Sequence, residues 1–117
     1  MLVDTIPALL YCKSNNNGDY IMETYKVDEH GDIRWRNEDG KRHRLDGPAV
    51  ESSDGSNFWY QNDRLHRLDG PAIEYGDGHK YWYQNGKLHR LDGPAIEYAD
   101  GDKEWYIEGV KYCHEIG

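Results

Sequence analysis

The heptapeptide His-Arg-Leu-Asp-Gly-Pro-Ala occurs three times, at His43–Ala49, His66–Ala72 and His89–Ala95, with 23 residues from each copy to the next. A fixed period of this length marks a repeat architecture, in which each unit buries its apolar surface against its neighbours. Trp35, Trp59, Trp82 and Trp105 follow the same rhythm, as do Gly31, Gly55, Gly78 and Gly101. A further copy starts at Gly109 and decays, with Tyr112 and Cys113 standing where His-Arg is expected. Residues 1–30 hold no clear copy and read as a divergent N-terminal β cap. Residues 31–117 read as tandem hairpin repeats, continuous with that cap in one domain.

Turn chemistry sets the local structure. Asp77-Gly78 and Asp100-Gly101 each separate two β-prone runs, and Asn85-Gly86 forms a second turn in the unit. Such pairs are hairpin signals because their backbones reach positive φ cheaply. Pro48, Pro71 and Pro94 lack an N–H and belong at strand starts or edges. No window carries a helical period. The expected fold is all-β, an antiparallel meander of stacked hairpins. Two short strands are expected per unit, with a third extended stretch at 87–91.

Alternation along each strand assigns faces. Trp82 points one way, and Tyr81 and Tyr83 the other. Ile73 and Tyr75 share a face, as do Ile96 and Tyr98. The expected core consists of columns stacked from unit to unit: the four Trp, the Leu column Leu45, Leu68 and Leu91, and the Ile and Ala columns. Asp46, Asp69 and Asp92 are assigned a structural role, each closing a turn and pairing with an Arg of the same or the neighbouring unit.

This columnar core answers a compositional difficulty. Val, Ile, Leu and Phe number only 20 of 117 residues, and the net charge is -8. Such a balance would otherwise suggest disorder. The aromatic residues, 4 Trp and 10 Tyr among them, supply the missing apolar bulk. The acidic balance argues against direct nucleic-acid binding, which needs a basic patch. No run approaches the ~20 apolar residues of a membrane span. Ile6–Cys12 lacks the preceding basic segment of a signal peptide. Cys12 and Cys113 read as free thiols, which suits a cytoplasmic location. No CxxC or Cys/His spacing suggests zinc.

The tandem Trp, Asn-Gly, His and Asp-Gly elements from Gly31 to Gly109 resemble MORN-type repeats. The match departs from the usual pattern: Arg44, Arg67 and Arg90 follow the His, and Phe58, Tyr81 and Glu104 precede the Trp. The His-Arg-x-Asp-Gly-Pro-Ala form is more similar to variant repeats of uncharacterised phage and large-virus proteins. The resemblance implies an elongated hairpin stack used as a scaffold or binding module, in some cases at lipid surfaces. It implies no catalytic chemistry.

The candidate sites follow. His43, His66 and His89 form a column, but equivalent residues two strands apart lie ~10 Å from one another and cannot converge on one metal. No metal and no cofactor is expected; each imidazole is assigned to the backbone of the next unit or to the Trp. A catalytic centre needs different residue types converging once, which strict repetition disfavours, so no catalytic residue is assigned. If the Trp side is core, the opposite face presents Phe58, Tyr60, Tyr81, Tyr83 and Tyr106. Acidic residues at repeat spacing, Glu51, Glu74, Glu97, Asp77 and Asp100 with Asp54, form a stripe that suits a partner with a basic surface. The expected function is non-catalytic protein binding, in its sharpest form a small acidic phage or viral protein that inhibits a host protein such as a defence nuclease. A lipid-surface module and a small-ligand binder or enzyme are the alternatives. Open sheet edges also allow a homodimer.

Overall fold

A computed structural model describes residues 9–14 and 20–113. The fold is an all-β antiparallel meander, elongated at 59 × 35 × 17 Å. At its N-terminal end stand β1 (Leu9–Ser14), β2 (Tyr20–Val27) and β3 (Ile33–Arg36). The next unit contributes β4 (Val50–Glu51), β5 (Asn57–Phe58), β6 (Tyr60–Gln61) and β7 (Arg64–Leu65). Then come β8 (Ile73–Glu74), β9 (Lys80–Tyr81), β10 (Tyr83–Gln84) and β11 (Lys87–Leu88). The chain closes with β12 (Ile96–Glu97), β13 (Lys103–Ile107) and β14 (Val110–Tyr112).

The repeat folds as four short strands rather than two. Ten strands form one sheet in the order β1-β2-β3-β4-β5-β8-β9-β12-β13-β14, while β6-β7 and β10-β11 form separate hairpins beside it. The tryptophan is the corner between the two rows. Trp59 and Trp82 donate their N–H to Ala72 and Ala95 at 2.7 Å, and their carbonyls accept from His66 and His89 at 3.0 Å. The backbone thus leaves one ladder and enters the other at this residue. The hairpins of the second row also bond from unit to unit: Arg67 N–H to the Tyr83 carbonyl at 3.1 Å, and Gly86 N–H to the Leu65 carbonyl at 2.8 Å. The stretch at 87–91 is therefore a strand, β11, followed by a loop.

The turns obey their residues. Asn62-Asp63, Asn85-Gly86 and Glu108-Gly109 all have positive φ at both positions, the primed geometry that fits strand twist. In the main sheet, the N–H of Gly78 returns to the Tyr75 carbonyl at 2.9 Å and that of Gly101 to the Tyr98 carbonyl at 2.9 Å.

The core is narrower than the columns suggest. Ala49, Ala72 and Ala95 have no exposure, and Ile73 and Ile96 are buried. Trp35 is buried, whereas Trp59, Trp82 and Trp105 are half-buried. The Leu column is not core: Leu68 and Leu91 are each 75% exposed, and Leu45 is half-buried. The reason is the preceding arginine. The guanidinium carbon of Arg44, Arg67 and Arg90 lies 4.1, 3.8 and 4.0 Å from the ring centre of Trp35, Trp59 and Trp82. Arginine, and not the histidine offered as one occupant, lies on the ring face, and at Leu68 and Leu91 the neighbouring leucine turns to solvent.

Cys12 lies in β1 and Cys113 follows β14, the first and last strands of the sheet. Cys113 is a free, exposed thiol; residues 6–8 and the Cys12 side chain fall outside the described residues.

Candidate functional site

Two arrays of side chains run along the stack. The first is aromatic. Phe58 and Tyr81 both stand opposite Ile73 across the main sheet, so the three share a face. Tyr75, on the turn after β8, packs edge-to-face on Phe58 at 5.8 Å and on Tyr81 at 5.6 Å. Tyr81 meets Tyr98 at 6.4 Å, and Tyr98 meets His79 at 5.6 Å. Edge-to-face rings attract through their quadrupoles, so this ladder ties one unit to the next. Tyr98 and Tyr106 donate their hydroxyls to opposite oxygens of Glu104 at 3.0 and 3.1 Å. That carboxylate pushes the Tyr98 pKa up to about 12. Burial raises the pKa of Tyr83, and its neighbours Tyr75, Tyr81, Tyr106 and Tyr60 add to the rise. The Tyr60 ring carries the Arg42 guanidinium at 4.1 Å.

Of the five aromatics expected on one face, Phe58, Tyr81 and Tyr106 lie in the main sheet, whereas Tyr60 and Tyr83 lie in the hairpins beside it; Phe58 and Tyr81 are joined into the ladder by Tyr75 and Tyr98. These two were legible in the sequence through their i, i+2 relation to Ile73 and Ile96, but turn signals beside them hid their role. Tyr75 is 39% exposed and the others are half-buried.

The acidic residues lie elsewhere. Glu51 and Glu97 meet the Nη1 atoms of Arg44 and Arg90 at 2.8 and 3.1 Å, and Glu74 lies 3.7 Å from Arg67 Nη1. They belong to the lid over the tryptophans. Each guanidinium also donates to a proline carbonyl, Arg67 to Pro71 and Arg90 to Pro94 at 3.1 Å. The Nε atoms of Arg67 and Arg90 reach Asp69 and Asp92 at 3.1 Å; Asp46 lies 3.8 Å from Arg44 Nε. Asp54, Asp77 and Asp100 accept the N–H of Ser56, His79 and Asp102, so each braces its own turn.

The second array is a set of inter-unit acceptors. The Nδ1 atoms of His43, His66 and His89 accept the N–H of Asn62, Asn85 and Glu108 at 3.1, 3.0 and 3.0 Å. Burial lowers the pKa of His43 and His66, which keeps that lone pair available. A parallel set serves the other turns. Asp32 accepts from Ser53 N–H at 2.7 Å, Ser56 Oγ from Gly76 N–H at 2.9 Å, and His79 Nδ1 from Ala99 N–H at 2.8 Å. Ser56 and His79 look like breaks in repeat symmetry, yet they do one job at equivalent positions.

These bonds restrict the chemistry. With Nδ1 accepting and Nε2 3.5 Å from an Asp77 oxygen, His79 is held between two partners. Among the described residues, no group of three or more His, Cys, Asp or Glu is placed to hold a metal ion, and no helix is long and apolar enough to cross a membrane. Comparison with family models, curated proteins and solved structures finds no significant match.

Proposed function

We propose that this chain is a non-catalytic protein-binding module, built on a MORN-like repeat, that engages its partner through the aromatic face. The carrying observation is the ladder Phe58–Tyr75–Tyr81–Tyr98, a half-exposed aromatic strip held rigid across successive units. Tyrosine supplies contact area at low entropic cost and keeps a hydroxyl for hydrogen bonding. Rigidity matters because little ordering is then left to do on binding. The charge of -8 favours a partner with a basic surface, as a nuclease presents.

Affinity capture tests this reading. The full chain, immobilised, should retain a stoichiometric protein partner from lysate. Tyr75→Ala, which truncates the most exposed ring of the ladder, should cut retention about tenfold while leaving the far-UV spectrum unchanged. Binding to anionic phosphatidylserine vesicles without any protein partner, or equal capture by Tyr75→Ala and wild type, overturns it.

A further inference from the structure

In two of its three copies the heptapeptide contains one side chain that the fold leaves in solvent. Its histidine accepts an N–H from the next unit, and its arginine covers a tryptophan. Its glycine leaves room for that arginine: a Cβ on Gly47, Gly70 or Gly93 would lie 2.7–2.8 Å from the guanidinium carbon. Its proline carbonyl receives the guanidinium, and its alanine has no exposure. The leucine does none of this at Leu68 and Leu91, where it is 75% exposed. Positions free of such duties have drifted between units, as Asn57, Lys80 and Lys103 illustrate. A large apolar side chain kept in solvent in two successive units points to a contact outside the chain.

Leu68 and Leu91 line a groove of about 600 Å³ together with Pro71, Trp82, Asp69, Asp92 and one cation, Arg90. The two leucines are one repeat apart, roughly 10 Å along the sheet. The side chains of Asp69 and Asp92 are 83% and 88% exposed. Each loop sets one guanidinium against two carboxylates, Arg67 against Asp69 and Glu74, and Arg90 against Asp92 and Glu97. Every loop therefore keeps a net charge of -1. Asp69 and Asp92 each meet their own loop's arginine at one oxygen, so an apolar occupant would strip water from the other and add no partner. A side chain with an alkyl stem and a cationic head satisfies both walls.

We propose that this groove takes an arginine or lysine side chain of a partner protein, its stem between Leu68 and Leu91 and its head on Asp69 or Asp92. This surface lies apart from the aromatic face and rests on the protein-binding reading. The loop at Leu45 carries the same Leu-Asp pair in sequence, but its leucine is half-buried, so the groove is particular to Leu68 and Leu91.

NMR titration of the full chain with the blocked peptide Ala-Leu-Arg-Leu-Ala tests it, with citrulline in place of arginine as the neutral control. Shifts should appear at the Leu68 and Leu91 methyls and the Trp82 indole. Affinity should fall about tenfold with citrulline, with Leu68→Ser/Leu91→Ser, and with Asp69→Asn/Asp92→Asn. The leucine variant should keep its fold, since neither side chain is buried. No shift at these groups up to about 5 mM peptide, shifts confined to Tyr75 and Tyr83, or an affinity indifferent to citrulline or to the leucine pair overturns the proposal. If the Tyr75-dependent capture above persists while the groove is silent, only the groove is refuted. If capture ignores Tyr75 as well, the protein-binding reading falls with it.

Discussion

Arg67→Ala removes one lid from the stack, and the structure lets its cost be worked out. The guanidinium sits 3.8 Å from the Trp59 ring centre, an interaction of about 0.5–2 kcal/mol. Its Nη1 donates to the Pro71 carbonyl at 3.1 Å, a charged hydrogen bond of about 1.5–3 kcal/mol. The ion pair with Asp69 adds only about 0–1 kcal/mol, because that carboxylate stays in water. These contributions share one side chain and do not simply add, so the expected loss is about 2–4 kcal/mol. Equilibrium urea unfolding, followed by tryptophan fluorescence and far-UV circular dichroism, measures it. Two variants separate the causes. Arg67→Lys keeps the charge and loses the planar stack, and should fall between wild type and alanine. Gly70→Ala keeps the arginine but places a Cβ 2.7 Å from its guanidinium carbon, which should push the lid off the ring. A loss below about 0.5 kcal/mol for Arg67→Ala, or equal losses for Arg67→Ala and Asp69→Asn, would refute the lid as a source of stability.

Two further predictions follow from the inter-unit acceptors. His43 and His66 have lowered pKa values in the folded chain, so the unfolded chain binds protons first as pH falls. Stability measured by urea titration should be flat well above pH 6.5, the ordinary histidine value, and decline as pH falls below it. A further loss is expected between pH 3.8 and about 2, where Asp28 is held ionised chiefly by Arg34. Stability that rises on acidification through pH 6.5 contradicts the histidine ladder. The second concerns Gly76, which stands where neighbouring units have Ser53 and Ala99. A Cβ there would lie 2.3 Å from the Asp54 carbonyl oxygen, so Gly76→Ala should cost about 1–3 kcal/mol. A thermal midpoint within error of wild type would show that this turn relaxes freely.

Much of the architecture is legible in the residues because it is local. A 23-residue period, Asp-Gly and Asn-Gly turns and alternating aromatics suffice for an antiparallel hairpin stack, since turn geometry depends on the φ that two adjacent residues can adopt. Alternation is legible within a strand for the same reason, but it does not carry across the corner at tryptophan, so Tyr81 and Tyr83 lie in different rows. Tertiary structure decided what lies against what. The chain turns at tryptophan, making two rows from what reads as one strand, because the Trp carbonyl bonds its own unit's histidine and not the next strand. Arginine covers the tryptophan face while Leu68 and Leu91 beside it face water, not the core column expected of them; hydrophobicity alone ranks the two residues the other way. The Ser56–Gly76 and His79–Ala99 pairs show the same division. A short hydroxyl reaches its N–H where the backbone closes until only glycine fits, whereas a longer imidazole spans to alanine. Spacing along the chain carries the repeat, but the gap between neighbouring units, set by side-chain reach, is a distance that exists only once they are stacked.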